Sequence, residues 1–207
     1  MQVTDANLAL SYIGLDNLKL LVPTFILKHW LPQSISPFPI MKRKLWNDAL
    51  SIALVSKTLA KAQKLDPFTA FTAGMLSNIG LLTVTRSFLE TYTKILNKIL
   101  NLAYFEKDKR LYEVLSDLKP SPELLLEHLI SHSSSLAADM IELMRFERLN
   151  ITDSLFELAD QADIDNMTPI ARIVTQATVF FACRNLSREA LMNADDYELW
   201  LNSVKLS

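Results

Sequence analysis

Glycine is the residue that this sequence most clearly lacks, with three glycines among 207 residues. Average usage near 7% would give roughly fourteen in a chain of this length. Sheet proteins use glycine in tight hairpin turns, and phosphate-binding loops use it where the backbone approaches the ligand. The three glycines stand at 14, 74 and 80, a spacing that fits no phosphate-binding loop. The sequence therefore disfavours all-β folds and glycine-loop nucleotide-binding folds.

Cysteine is equally scarce, because the chain holds only Cys183. A single thiol excludes an intrachain disulfide, and its place in the apolar run at 179–183 predicts a small core residue. A reducing compartment is consistent with this usage. No apolar run approaches the roughly eighteen residues of a membrane span, and no basic segment follows Met1. The sequence therefore predicts a cytoplasmic protein without a membrane span or a signal peptide.

A strong charge of either sign is also missing, since the net charge is −2. This balance disfavours a nucleic-acid partner, for which the three adjacent cations at 42–44 are thin support. The small total hides an asymmetry: residues 1–65 hold eight Lys and Arg against three Asp and Glu, whereas residues 150–207 hold four against nine. Two interpretations stay open: the opposite charges lie on different faces of one domain, or they form a two-sided docking surface.

Apolar residues recur at intervals of three and four along almost the whole chain, which is the pattern of amphipathic helices. We predict an irregular all-α fold, in a single domain over residues 1–207. The predicted core residues are Trp46, Leu50, Leu76 and Ile79.

The expected helix boundaries follow from capping residues. Asp5, Asp16 and Asp66 are predicted N-caps, with Pro67 at a first helical position and Gly14 at a helix end. The predicted helices cover 5–13, 16–30 with a kink at Pro23, 42–64, 67 to between 74 and 80, 81–104, 106–117, 122–130, 132–146, 152–160, 168–185 and two short pieces within 187–205, and a proline-rich loop covers 31–40.

Side chains able to support catalysis are few. Cys183 has no paired base that the sequence identifies, and no Gly-x-Ser-x-Gly motif occurs. His128 and His132 stand at i and i+4, a spacing that can place two imidazoles on one helix face, as a zinc site requires. Two interpretations stay open for these histidines: they are a pair of metal ligands, or they have ordinary polar or capping roles.

Three short motifs occur in a fixed order: Leu-Trp-Asn-Asp-Ala-Leu at 45–50, Gly-Met-Leu-Ser-Asn-Ile-Gly at 74–80 and Ser-His-Ser-Ser at 131–134. Together with the opening segment at 9–19, they resemble the HDOD domain family over about 6–145, and the resemblance weakens after Arg145. The family is related to the HD-type metal phosphohydrolases. The resemblance implies an all-α fold of the HD type and a signalling role.

The resemblance also implies where a metal site would have stood. It places Asp48 where HD enzymes have their first histidine, Ser77 and Asn78 where they have a His-Asp doublet, and the last carboxylate at about Ala177 and Thr178. His132 alone matches a histidine ligand. Serine and carboxamide are weak neutral ligands, so Asp48 and His132 would leave a divalent ion with two protein groups. We therefore predict no metal, no cofactor and no catalytic residue, and interpret Asp48, Ser77, Asn78 and His132 as a vestigial pocket.

Local roles can also explain three of these residues. Ser77 and Asn78 can hydrogen-bond to their own backbone at a helix end, and Asp48 can pair with Lys44 one helical turn earlier. The predicted function is a non-catalytic signalling or regulatory domain that acts by binding, with a degenerate HD-type metal-dependent phosphohydrolase as the alternative. The expected partner is a protein in a signalling pathway, and the membrane is excluded. A small-molecule or nucleotide ligand and a homodimer stay open.

The start of the chain gives a further expectation. In the family several helices precede the segment that matches residues 9–19, whereas Met1 stands less than two helical turns before Ala9. We expect either a domain without its N-terminal helices or a start assigned late. The apolar side chains expected to lose their cover are Leu18, Leu21, Phe25 and Ile26. Such a patch predicts a dimer or a poorly soluble protein.

Overall fold

The structure is a computed structural model that describes residues 11, 14–30, 41–143, 151–160 and 163–206. Helices account for most of this part of the chain, and it contains no strand, which confirms the predicted all-α class. The helices are α1 (Leu15–Trp30), α2 (Met41–Ala62), α3 (Pro67–Leu76), α4 (Ile79–Phe105), α5 (Lys109–Ser116), α6 (Pro122–Leu143), α7 (Ile151–Ala159), α8 (Pro169–Arg188) and α9 (Ala194–Ser203). Apart from Ser11, the helix predicted from Asp5 lies outside the described residues, as does the loop predicted for 31–40.

Capping residues set several of the helix ends. The Asp66 carboxylate accepts hydrogen bonds from the backbone N–H groups of Phe68 and Thr69 at 3.3 and 3.0 Å, and Pro67 occupies the first turn of α3. The predicted Asp66 cap is therefore confirmed. Asn193 caps α9 in the same way, because its side-chain oxygen accepts from the N–H of Asp196 at 2.7 Å.

The structure corrects three other helix predictions. Residues 122–130 and 132–146 were expected as two helices, but α6 is continuous, because the serines near 131–134 cost only tenths of a kcal/mol each and none breaks a helix. The helix α1 begins at Leu15, before the expected cap Asp16, and it spans Pro23, where the kink stays a prediction. In the described residues that follow α8, up to 206, a single helix, α9, forms where two short pieces were expected.

The short helix α3 forms the centre of the fold. Every residue in its segment 70–76 is buried, and it contacts α1, α2, α7 and α8. The main apolar cluster around it combines side chains of α2, α3, α4, α6, α7 and α8. Leu76 and Ile79 are fully buried as predicted, whereas Trp46 and Leu50 are only half-buried, because they pack against the edge of this cluster.

Two glycines allow helices to approach one another closely. A Cβ on Gly74 would lie 2.8 Å from the Ser56 hydroxyl and 3.0 Å from the Cα of Ala53, so α3 packs directly on α2. A Cβ on Gly80 would overlap the backbone carbonyl of Ser133, so α4 and α6 meet backbone to backbone. Farther along the same pair, the ring of Phe88 contacts that of His128, which shows that the two helices are antiparallel.

Within the segment 67–105, a window of 18 residues has a mean hydropathy of 1.3, which is apolar enough to resemble a membrane span by length and composition alone. However, 72% of that window is buried within the fold, which is the behaviour of core helices. Cys183 is also buried, on α8, which confirms its predicted core position. Burial raises the pKa of the Cys183 thiol, so the side chain stays protonated and is a poor nucleophile.

Candidate functional site

A cavity of about 570 Å³ lies where α4, α6, α7, α8 and α9 come together with the end of α3. We call it the Asn78 cavity. Its lining residues are Ser77, Asn78, Leu81, Ser133, Ser134, Ala137, Leu155, Leu158, Met167, Val174, Thr175, Thr178, Val179 and Trp200. The cavity opens to solvent on one side, since Thr178 and Trp200 are both exposed.

Residues that are about one hundred positions apart in sequence meet in this cavity. Ser77 and Asn78 stand between α3 and α4, and Thr178 projects from α8. The resemblance placed the doublet of HD enzymes at the first two positions and their last carboxylate at about the third. The packing of α8 against α3 and α7 therefore brings together two of the positions that a metal site of the HD type would use, namely those of the doublet and of the last carboxylate.

Asp48 and His132 lie at other places. The Asp48 carboxylate forms an ion pair with Lys44 at 3.2 Å along α2, which is the local role predicted for it, and it does not line the cavity. His132 lies in a separate groove between α4 and α6, where its ring stacks on that of His128 with centroids 5.9 Å apart. Of the four residues interpreted as a vestigial pocket, the structure brings only Ser77 and Asn78 together.

The cavity wall is neutral. Among the described residues that line it, none is Asp, Glu, Lys, Arg, His or Cys. Hydroxyl groups supply most of its polar atoms, and three of them donate to carbonyls of their own helices. The Ser77 hydroxyl donates to Gly74 at 2.9 Å, that of Thr178 to Val174 at 2.8 Å and that of Thr175 to Ala171 at 3.0 Å. These hydroxyls are therefore left with acceptor capacity only.

Asn78 differs from these hydroxyls. It occupies the N-cap position of α4 with φ −88° and ψ 0°, yet its side chain makes no capping hydrogen bond. Its Nδ2 is buried and has no hydrogen-bond partner within the part of the chain that the structure describes. The local hydrogen bond predicted from sequence is thus confirmed for Ser77 and is wrong for Asn78.

The donor set of the cavity does not fit a catalytic metal ion. A divalent cation there would meet hydroxyl and amide oxygens, with no anionic group to balance its charge. Elsewhere within the described ranges, no three His, Cys, Asp or Glu side chains come close enough to hold a metal.

Sequence reasoning missed the cavity residues that come from the C-terminal half of the chain. Leu155 and Leu158 on α7 form one wall, Met167 lies before α8, and Trp200 on α9 stands at the rim with 52% of its surface exposed. Their spacing predicted helices and nothing more. The signal that placed Thr178 was the resemblance to the HD enzymes, which did not extend to α7 or α9.

Comparison with protein families identifies the HDOD domain over residues 1–111. Comparison with curated proteins and with solved structures gives no match. The matched segment runs into α5 and includes the motifs at 45–50 and 74–80, whereas the serines at 133 and 134 lie beyond it. Because the match covers more than half of the chain and agrees with the all-α fold, this chain belongs to the HDOD domain family.

Proposed function

We propose that this chain is a non-catalytic signalling domain that acts by binding. HDOD domains are HD-like domains associated with signalling, and the observation that carries the proposal is the neutral wall of the Asn78 cavity. In this cavity Ser77, Asn78 and Thr178 occupy the places where the resemblance to HD enzymes would have put metal ligands.

Hydrolysis of a phosphoester makes demands that this cavity does not meet. A water molecule must lose a proton to a metal ion or a base, and the charge on the phosphoryl oxygens must be balanced in the transition state. The cavity contains no titratable side chain among its described lining residues, and the serine and threonine hydroxyls have no neighbouring base there to activate them. Binding is the chemistry that remains for such a wall.

Exposed apolar surface favours a protein partner as well. The far end of α4 presents Ile95, Leu102 and Phe105, which are 54%, 53% and 78% exposed. Side chains of this kind in one region are typical of contact surfaces, and they lie at the opposite end of α4 from the cavity. A domain with a cavity and a separate apolar surface can couple a ligand to a partner.

Metal content and turnover test the proposal against the alternative, a degenerate metal-dependent phosphohydrolase. The protein is purified without a histidine tag, its Mn, Fe and Zn are measured by mass spectrometry, and bis(p-nitrophenyl) phosphate and a cyclic dinucleotide are offered as substrates with added Mn²⁺. We expect no stoichiometric metal and no turnover. One metal per chain that is lost in Asp48→Ala and in His132→Ala, or hydrolysis that depends on these residues, would overturn the proposal.

A matched set of variants shows what the cavity lacks. Ser77→His with Asn78→Asp restores the doublet but supplies no third ligand, and we expect it to hold no stoichiometric metal. Adding Thr178→Asp places a second carboxylate on the wall of the same cavity, and metal binding is expected to rise in the triple variant. If the triple variant binds no more metal than the double variant, positions 77, 78 and 178 do not converge on one cavity as they do in the structure.

A further inference from the structure

We propose that the short helix α5 is a contact surface for a second copy of this chain. In this contact two α5 helices pair antiparallel about a twofold axis near Val114, and Arg110 of each copy faces Asp117 of the other. This inference rests on the proposed function, because it names a partner for a domain that acts by binding. It concerns a surface apart from the Asn78 cavity, whose described lining residues include none from α5.

The helix α5 contributes little to the core. It packs mainly on α4, and the rings of Tyr104 and Tyr112 lie with their centroids 6.5 Å apart, so the two helices fold back on each other as a hairpin. Within the described part of the chain, none of the eight residues of α5 is buried. The helix is nonetheless strongly amphipathic, and an apolar helix face calls for a partner.

Three apolar side chains remain largely uncovered. Leu111, Val114 and Leu118 are 40%, 61% and 50% exposed. Because they recur at intervals of three and four, they follow one face of the helix and its C-terminal extension. Tyr112, by contrast, lines a groove beside Tyr104, which places it on another face. We call Leu111, Val114 and Leu118 the α5 stripe.

The charges of α5 are arranged against its own dipole. The N-terminus of a helix favours acidic side chains and its C-terminus favours basic ones. After the cap Asp108, however, the first turn of α5 holds Lys109 and Arg110 and no acid, whereas Glu113 and Asp117 lie toward the C-terminus and the last turn holds no base. This order destabilises α5 taken alone. A second helix that runs antiparallel reverses the disadvantage, because its acidic end meets the basic end of the first.

Arg110 and Asp117 flank the α5 stripe. Arg110 stands four residues before Val114 and Asp117 three residues after it, so the three side chains share one side of the helix. Both charged side chains are exposed, and neither forms an ion pair within the described part of the chain. In a twofold interface every contact occurs twice. An antiparallel pair centred near Val114 therefore joins Arg110 to Asp117 on each side of the paired stripes.

This self-complementary order favours a second copy over other occupants. An anionic membrane surface would attract Arg110 but repel Asp117. A contact made mainly by one short helix buries less area than a permanent dimer requires, so we expect a weak, concentration-dependent dimer.

Sedimentation velocity of the full chain over a range of concentrations tests the pairing. Leu21→Ser with Phe25→Ser is the common background, because these two side chains on α1 are themselves exposed and apolar. In this background we expect Arg110→Glu to raise the dimer dissociation constant about tenfold, since two attractive contacts become repulsive. Asp117→Lys should do the same. Both changes suit the dipole of α5, so circular dichroism should show an intact helical fold.

Mixing the two variants supplies the decisive control. Each variant repels itself, but in a mixed pair the new Glu meets the new Lys on one side of the axis, and the original Asp117 meets the original Arg110 on the other. We expect the equimolar mixture to dimerise as the background protein does. One chain that carries both changes should also dimerise.

Two further variants locate the contact on α5. Lys109→Glu makes the same charge change one residue earlier, but Lys109 lines the groove beside Tyr104, away from the α5 stripe. We expect it to change the dissociation constant less than about threefold. Val114→Ser removes apolar surface at the axis and should weaken the dimer without a change in charge.

The outcomes distinguish the inference from the proposed function. A dissociation constant that Arg110→Glu and Asp117→Lys leave unchanged, or a mixture that is not rescued, would overturn the inference. A background protein that stays monomeric at high concentration would also overturn it, and would leave standing the proposed function, which metal content and turnover decide. Rescue by mixing in a protein that hydrolyses phosphoesters would support the inference and remove the proposed function.

A membrane is the other occupant that the experiment can detect. Phosphatidylglycerol vesicles are offered to the same variants in a flotation assay. Vesicle binding that Arg110→Glu weakens and Asp117→Lys strengthens, in a chain that does not self-associate, would assign the α5 stripe to a membrane and overturn the inference. Dimers that ignore the vesicles support it.

Discussion

Gly80 and Ser133 lie so close that a Cβ on the glycine would overlap the serine carbonyl, and it would also lie 2.9 Å from the backbone nitrogen of Ala137. The backbone of α4 therefore rests directly on that of α6. Asn78 stands two residues before Gly80 on the α4 side of this contact, and Ser133 and Ser134 stand on the α6 side. All three line the cavity, so the close approach of α4 and α6 forms one of its walls.

The first prediction concerns this contact. Alanine favours a helix over glycine by about 1 kcal/mol, but in Gly80→Ala the new methyl meets backbone atoms that cannot rotate away. Overpacking costs about 1–3 kcal/mol in such places, and we expect the upper end, with a net loss of about 2 kcal/mol in the free energy of unfolding by urea denaturation. Wild-type stability of Gly80→Ala would show that α4 and α6 are farther apart.

Gly74→Ala is the matched comparison, because its nearest neighbour is a side chain. The new methyl would meet the Ser56 hydroxyl, which is itself buried without a hydrogen-bond partner in the described part of the fold. We expect a smaller loss, about 1 kcal/mol. Ser56→Ala should recover part of it, and should do nothing for Gly80→Ala, as a double-mutant cycle would measure.

The second prediction compares two asparagines at the same capping position of different helices. Asn193→Ala removes a capping hydrogen bond to the N–H of Asp196 and should lower the free energy of unfolding by about 1 kcal/mol. Asn78→Ala removes a side chain that makes no such bond, so we expect a change below about 0.5 kcal/mol, or a gain. Equal losses in denaturant titrations would mean that Asn78 does cap α4.

The third prediction concerns acid. Partial burial raises the pKa of Asp66, but hydrogen bonds from Thr69 and Phe68, with the charge of Lys19, outweigh it and hold that pKa below its ordinary value. A carboxylate with a lowered pKa stabilises the fold above its unfolded pKa, and this contribution is lost as the pH falls through the folded pKa. Asp66→Ala should therefore cost about 1 kcal/mol at neutral pH, and less as the pH falls below about 4.

Urea denaturation of Asp66→Ala and wild type at a series of pH values measures this difference. Asn193→Ala serves as the control, because its capping amide oxygen does not titrate and its penalty should stay nearly constant. A penalty for Asp66→Ala that is unchanged in acid would contradict the role of the charged carboxylate.

The fourth prediction is self-association through α1. Leu15, Leu21, Val22 and Phe25 on this helix are 69%, 49%, 47% and 62% exposed, in agreement with the expected exposure of Leu21 and Phe25. Leu18 is only half-exposed, and the side chain of Ile26 lies outside the described part of the chain. We predict that light scattering of the 207-residue chain shows a dimer or larger species as concentration rises. The double variant Leu21→Ser with Phe25→Ser should shift it toward the monomer.

Ile130→Ser is the control for this experiment. Ile130 is 72% exposed on α6, a helix that is distant from α1 in the sequence and packs against α4 and α7. Dissociation caused by Ile130→Ser and not by the α1 variant would place the contact on another face. A wild-type monomer at high concentration would remove the prediction altogether.

Local chemistry made much of the fold predictable from the sequence. The pairing of Asp66 with Pro67 marks the start of α3, and the i, i+4 spacing of Lys44 and Asp48 predicts their ion pair. These features depend on neighbours within one helical turn, which the sequence places directly. The continuity of α6 was not predicted, because the small propensity cost of the serines near 131–134 is outweighed by the packing of α6 on α4, which the sequence does not show.

The candidate site was only partly predictable for the same reason. Ser77 and Asn78 were singled out by a motif, but the walls that α7 and α9 contribute depend on how distant helices pack. Whether Asn78 bonds to its own backbone depends on a side-chain rotamer that the sequence does not specify. His132 was grouped with these residues by its motif, yet it projects from α6 into the groove beside Phe88 instead.

The burial of Cys183 has a practical consequence for following motion in this protein. The sequence has no other thiol, and this one is 2% exposed on α8. A thiol reagent can reach it only when α8 separates from its neighbours, so the labelling rate in native buffer reports the frequency of that opening, free of background. Thr178 lies on the same helix, one and a half turns earlier, and a molecule seated in the cavity would therefore register as a longer labelling half-time.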